Sequence, residues 1–187
     1  MDPWVISDPH LGHDALIEDK CRQAGFSERV LAGLGHALTK PDNLLICLGD
    51  VCFGDDEKWN QAITSFPGKK WLILGNHDKK SMTWYLSHGW DWVGQSMVLE
   101  IFGKHILFSH MPQLVEGSSM VKGHFSMFKY DLNVHGHFHD FTDEKIIQFE
   151  PHLFNLLTAK HFRIVPETMN YQPIKLKRIV ELSNRRK

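Results

Sequence analysis

Short apolar runs that end in polar residues recur along the first half of the chain. "WVIS" at 4–7 reads as a first strand. From about Ala15 to Thr39 the spacing is helical, with a break near Gly25. "NLLICLGD" at 43–50 is a continuous apolar run, as expected of a strand buried on both faces. "EKWNQAITSF" at 57–66 sets Trp59, Ala62, Ile63 and Phe66 on one side of a helix, and Pro67-Gly68 then turns the chain. "KWLILGNHD" at 70–78 is another buried strand running into a polar loop, and a helix is expected at about 81–88. Strands that alternate with helices in this way predict an α/β domain with parallel central strands.

Beyond that point the pattern changes. Residues 96–102 and 105–110, joined by Gly103-Lys104, read as a hairpin that leads to a histidine. Residues 111–130 carry Pro112, Gly117 and Gly123 and read as a long loop or a short irregular helix. "DLNV" at 131–134 is a further strand. The segments 145–149, 153–157 and 162–165 are strand candidates, and 173–184 reads as a terminal helix begun by Pro173. With no repeat and no interdomain linker in view, residues 1–187 are expected to form one domain.

Composition alters this picture little. The formal net charge is −1, which argues against a basic field for binding extended nucleic acid. No apolar run is long enough to cross a bilayer, and "MDPWVISDPH" does not read as a secretory signal. The cysteines Cys21, Cys47 and Cys52 are odd in number and lack finger spacing, so a cytoplasmic setting is expected. The outlier is histidine, with 13 residues.

Placement gives those histidines meaning. Each apolar run ends in a polar cluster: Asp8 and His10; Asp50 after Gly49; Asn76, His77 and Asp78 after Gly75; His110; then His135, His137 and His139. Ligands of parallel α/β sheets bind beyond the carboxyl ends of strands, so these clusters are positioned to converge. Carboxylates, imidazoles and an amide oxygen without thiolate suit divalent manganese, iron, zinc, cobalt or nickel. On extended backbone, Asp8 and His10 share one face, as do His137 and His139. Seven candidate ligands exceed the needs of one ion and suit two, provided one carboxylate bridges. Taken singly, Asp8 reads as a cap, Asp50 as a strand-end turn residue, Asn76 as an Asx-turn and His110 as a half-buried histidine. Taken jointly, all four would have to mimic one ordered series.

That series is Asp8-x-His10, Gly49-Asp50, Gly75-Asn76-His77-Asp78, His110 and Gly136-His137-x-His139. It resembles the calcineurin-like metallophosphoesterase superfamily, motif by motif and in order. "DLNVHGHFHD" and "NYQPIKL" resemble its small single-domain bacterial or phage members. The resemblance implies two packed mixed β-sheets flanked by helices. It implies two divalent transition-metal ions, with manganese the leading choice and iron, zinc, nickel or cobalt the alternatives. Asp8, His10 and His139 would hold the first ion, Asn76, His110 and His137 the second, and Asp50 would bridge them. A hydroxide held between the ions would attack phosphorus in line with the leaving oxygen. His77 would contact the phosphate and protonate the leaving group, and Asp78 would orient its imidazole.

A small phosphoester or nucleotide is therefore the expected substrate, with phosphodiesters favoured and no membrane partner. The competing readings are a protein-interaction scaffold whose metal site is vestigial, and a nuclease or nucleotide phosphohydrolase. His13 is a candidate for touching substrate. His135 and Cys52 are expected to pack, and so by default are Trp84, Trp90 and Trp92. The oligomeric state has no signal in the sequence.

Overall fold

The computed structural model describes residues 2–19, 21–113 and 129–185. Five strands form the first sheet: β1 (Trp4–Ile6), β2 (Leu44–Cys47), β3 (Lys69–Ile73), β4 (Trp92–Gly94) and β9 (Ile174–Lys175), in the order β4-β3-β2-β1-β9. The first four are parallel, and β9 runs antiparallel to β1. Four strands form the second: β5 (Ser96–Ile101), β6 (Lys104–Ser109), β7 (Leu132–His135) and β8 (His161–Arg163). β5 and β6 are an antiparallel hairpin, while β6, β7 and β8 are parallel. Two mixed sheets were expected, and two are found.

The period of two along each strand explains why the runs had to be apolar throughout. In β1 and β2, Ile6, Leu45 and Cys47 face the helices α2 (Phe26–Ala37), α3 (Asp56–Thr64) and α4 (Met82–Ser87). Their neighbours Val5, Leu44 and Ile46 face the other way, into a core shared with Ile106 and Phe108 of β6, Val134 of β7 and Phe162 of β8. That second core also receives Leu176, Ile179 and Val180 of α7 (Leu176–Asn184), whose helical spacing makes one apolar stripe. Ile46 is fully buried, so trimming it to alanine should cost about 2–5 kcal/mol.

Several elements differ from the sequence expectation. Residues 145–149 and 153–157 are not strands: α5 (Asp143–Phe149) and α6 (Pro151–Phe154) are short helices, and a turn follows α6. Thr142 caps α5 by accepting from the Lys145 N–H, acidic Asp143 and Glu144 fill its first turn, and Pro151 opens α6. Their apolar residues Ile146 and Leu153 close a small cluster with Phe138 and Leu156. The terminal helix begins at Leu176 rather than Pro173, because Ile174 and Lys175 are taken up as an edge strand against β1. The strand β4 gave no signal of its own, being three residues at a sheet edge. Among the described residues of the 15–39 stretch, α1 (Ala15–Glu18) and α2 are the helical parts. Most of the expected 111–130 loop lies outside the described residues.

Cys47, Cys52 and Trp90 are buried, as expected. Trp90 donates to the Asn60 side chain at 2.7 Å, and Asn60 in turn donates to Cys52 Sγ at 3.5 Å. Among the described residues, no helix is long and apolar enough to cross a membrane.

Candidate metal centre

The loops after β1 and β2 do not diverge where the strands end. Asp8 N–H donates to Gly49 O at 3.1 Å, His10 N–H to Asp50 O at 3.0 Å and Leu11 N–H to Val51 O at 3.0 Å. The loops thus stay paired while their side chains turn inward. Five of the seven candidate ligands sit in the left-handed region: Asp8 (φ 50°), His10 (48°), Asp50 (52°), His137 (73°) and His139 (48°). Non-glycine residues seldom adopt this conformation, and its concentration here marks a site where geometry was favoured over backbone comfort. Two glycines let the loops approach. A Cβ on Gly136 would lie 1.8 Å from Ser7 Oγ, and one on Gly75 would lie 2.2 Å from Asp50 Oδ1.

All seven candidate side chains meet in one place. Asp8 Oδ1 lies 3.9 Å from His10 Nε2 and 4.0 Å from His139 Nε2. On the other side, Asn76 Oδ1 lies 2.9 Å from His110 Nε2 and 3.1 Å from His137 Nδ1. Asp50 Oδ2 stands between the two groups, 3.5 Å from His10 Nε2 and 3.4 Å from His110 Nε2. The side chains thus lie in two neighbouring groups, with Asp50 Oδ2 close to a histidine of each.

Each carboxylate divides its oxygens. Asp8 Oδ2 accepts from Ser7 Oγ at 2.5 Å and from the His137 N–H at 3.0 Å, leaving Oδ1 for the centre. Asp50 Oδ1 accepts from the His77 N–H at 2.8 Å, leaving Oδ2. Asp8 Oδ1 and His10 Nε2 are buried with no hydrogen-bond partner. Orphaned atoms of this kind are costly unless something else satisfies them. Acceptors of this chemistry, facing one another, fit a divalent cation.

The imidazoles are prepared for that task. His110 Nδ1 contacts Leu48 O at 2.7 Å, so Nδ1 carries the proton and Nε2 presents its lone pair. His10 Nδ1 contacts His13 Nδ1 at 3.2 Å. Burial, reinforced by His139 and Arg22, holds His10 well below the ordinary histidine range. Burial and His110 bring His137 down to about 4. Both rings are thus neutral at pH 7, the form that binds metal. Asp50 goes the other way: burial lifts it to about 6, against the pull of His110 and with the push of Asp8.

His77 sits at the mouth of the centre with a side chain 42% exposed, its Nε2 4.0 Å from Asp50 Oδ2 and its ring 4.8 Å from that of Phe53. Asp78 makes hydrogen bonds with the backbone. Its Oδ2 accepts from the Asp50 and Gly75 N–H groups at 2.8 Å each, and its Oδ1 from the Val51 N–H at 3.0 Å. It ties the loops after β2 and β3 together. His13 stacks on Phe53 at 3.6 Å. His135 is fully buried in β7, its Nδ1 3.1 Å from Gly136 O, and it joins neither trio.

The sequence reading missed a buried pair behind the centre. Arg22 donates to Glu167 Oε1 at 2.8 Å, to Pro9 O at 2.9 Å and to Asp8 O at 2.7 Å. Burial would raise the Glu167 carboxyl, but its hydrogen bond with His139 and the Arg22 charge hold it below its usual range. Arg22 and Glu167 lie 145 positions apart and neither sits in a motif, so no local pattern could have paired them.

Comparison with known proteins agrees with this geometry. The calcineurin-like phosphoesterase family model matches residues 1–156. The gene 66 protein of Mycobacterium phage D29 is 33% identical over 79 residues, covering 41% of this chain and 40% of that protein. The gene 66 protein of Mycobacterium phage L5 is 35% identical over 80 residues, covering 40% of this chain and 39% of that protein. The matched stretch thus spans about two fifths of the length of these curated relatives. Among solved structures, a protein of unknown function from Aquifex aeolicus, AQ665, superposes with a TM-score of 0.70 at 26% identity, covering 97% of this chain and 98% of that one. With a match to most of its length and the ordered donor series at the ends of its strands, the chain belongs to the calcineurin-like phosphoesterase family.

Proposed function

We propose that the chain hydrolyses phosphate esters, phosphodiesters in preference, with two divalent cations held at the Asp8–His139 centre. The observation that carries this reading is the position of Asp50 Oδ2, 3.5 Å from His10 Nε2 and 3.4 Å from His110 Nε2, between two trios of donors. Asp8, His10 and His139 would hold one cation, Asn76, His110 and His137 the other, and Asp50 both. Manganese suits the mixed oxygen and nitrogen donor set, as do iron, zinc, nickel and cobalt. Such cations would lower the pKa of a bound water and neutralise phosphoryl charge.

The chain's own groups do the rest. His77 is exposed at the mouth, where its imidazole can carry a proton to a leaving oxygen. Asp78 holds the loop that presents His77. Among the described residues, Arg22 is buried behind the centre rather than facing it, so no arginine there clamps a phosphoryl group. An open mouth with one imidazole acid and no such clamp supports a diester, which carries one charge fewer than a monoester. Small phosphoesters or nucleotides are the substrate class proposed, in a cytoplasmic setting.

The test is hydrolysis of aryl phosphate mono- and diesters by the purified chain with manganese, nickel, zinc, magnesium or chelator. Turnover that requires a divalent ion and favours the diester is expected. No turnover with any ion would refute the enzyme reading and favour a scaffold. His77→Ala should keep both ions by elemental analysis and lose most activity, the more so with poor leaving groups. A lost ion would make His77 a ligand instead.

A further inference from the structure

We propose that Glu167 is a positioning residue for the Asp8–His10–His139 trio: it fixes the tautomer of His139 so that Nε2 presents its lone pair to a divalent cation. The inference rests on the proposed metal centre and adds a residue outside the 1–156 stretch that matches the family.

The His139 ring has two polar neighbours at Nδ1. Glu167 Oε1 lies at 3.0 Å and Arg22 Nη2 at 3.2 Å. They make opposite demands, since a guanidinium can only donate and an ionised carboxylate can only accept. If Nδ1 accepted from Arg22, the ring proton would sit on Nε2, which faces Asp8 Oδ1 at 4.0 Å, and no lone pair would remain for a cation. If Nδ1 donates to Glu167, Nε2 is bare.

Arg22 Nη2 donates to Asp8 O at 2.7 Å and Nε to Glu167 Oε1 at 2.8 Å, and a bare Nδ1 would set its lone pair against the nearer carboxylate oxygen at 3.0 Å, a repulsion that an Nδ1 proton turns into a hydrogen bond. The carboxylate therefore takes the Nδ1 proton and neutralises the buried guanidinium at once. Both side chains are withdrawn from water, Arg22 at 0% and Glu167 at 8% exposure, so solvent does not relax the choice.

The device serves one trio only. Through Arg22 it also grips the carbonyl of Asp8, a second member of that trio. Its hydrogen bonds do not extend to Asn76, His110 or His137. The tautomer of His110 is set independently by Leu48 O.

The experiment is a calorimetric titration of the metal-free chain with manganese chloride, paired with nitrogen-15 NMR of the histidine rings at alkaline pH. In Glu167→Gln, one binding step should weaken roughly 10- to 100-fold, the range usual for residues that orient a metal-bound histidine, while the other stays unchanged. The His139 signals should shift toward the Nε2-protonated form. Glu167→Asp retains the charge on a shorter arm. It guards against a Glu167→Gln chain that does not fold, and should show a smaller loss at the same step. Equal weakening of both steps, unchanged affinity at both, or an unaltered His139 tautomer would overturn the inference. A wild-type chain that takes up no manganese would overturn the metal centre itself, a result distinct from each of these.

Discussion

Asp78 is the residue whose removal most directly tests how this centre is held. Its carboxylate accepts from three backbone N–H groups, two at 2.8 Å and one at 3.0 Å, which belong to loops following two different strands. A hydrogen bond to a charged group contributes about 1.5–3 kcal/mol, so three of them set a ceiling of about 4.5–9 kcal/mol. They share one carboxylate that is only partly buried, and water can replace some of them. Asp78→Ala should therefore cost roughly 3–5 kcal/mol, against a total stability of about 5–15 kcal/mol for a typical domain. Asp78→Asn retains one acceptor oxygen. Placed where Oδ2 is, it would serve Asp50 and Gly75, while the amide NH2 would confront the Val51 N–H. A loss of about 1.5–3 kcal/mol is expected. Urea unfolding of the metal-free chain, followed by tryptophan fluorescence, measures both values. Asp78→Ala within about 0.5 kcal/mol of wild type, the spread usual for surface changes, would refute the clamp. An unchanged stability with an altered pH–rate profile would return Asp78 to the role of orienting the His77 ring.

Other consequences follow from the same geometry. Because burial lifts Asp50 from 3.8 to about 6, protons should compete with metal at the bridging position, and affinity should fall about tenfold per pH unit below 6 for each proton displaced. Between about pH 6 and 3.8 the metal-free fold binds more protons at Asp50 than the unfolded chain, so this group favours the metal-free fold as pH falls, the reverse of its effect on metal uptake. Titrations at several pH values check both signs. Gly136→Ala would drive a methyl group to 1.8 Å from Ser7 Oγ and 2.2 Å from Asp8 Oδ2. Thermal melting should show a loss of about 1–3 kcal/mol, and elemental analysis a depleted metal content. Asp50→Asn should lose both ions together, and two tightly bound ions in that variant would refute the bridge.

The parts of this molecule visible in the sequence are those where one strand carries its own message. "NLLICLGD" announces a strand buried on both faces and, at its end, a polar residue bound for the site. The same holds for "KWLILGNHD" and for the run that leads into His137 and His139. What escaped lies in long-range pairing. Ile174 and Lys175 are a strand only because β1 has a free edge beside them. Ile146 reads equally as strand or helix until Thr142 is seen to cap the turn before it. Arg22 and Glu167 carry no local signal, since a surface helix end and a turn would use the same residues. The task of Asp78 was hidden for a related reason: its three partners are backbone N–H groups, which no side-chain pattern records.

The left-handed backbone at five candidate ligands carries a physical argument of its own. Non-glycine residues there are strained by about 1–2 kcal/mol each, so the five together approach the whole stability of an ordinary domain. A strain of that size persists only where the surroundings oppose its release. Here the opposition is built from polar groups that face away from the centre. One oxygen of Asp8 holds the His137 N–H, one oxygen of Asp50 holds the His77 N–H, and Asp78 and Arg22 hold the backbone of Asp50 and Asp8. The first two clamps each use one oxygen of a candidate ligand and leave its second oxygen to the centre. Asp8 and Asp50 therefore secure the loops with one oxygen each and keep the other for the proposed cations.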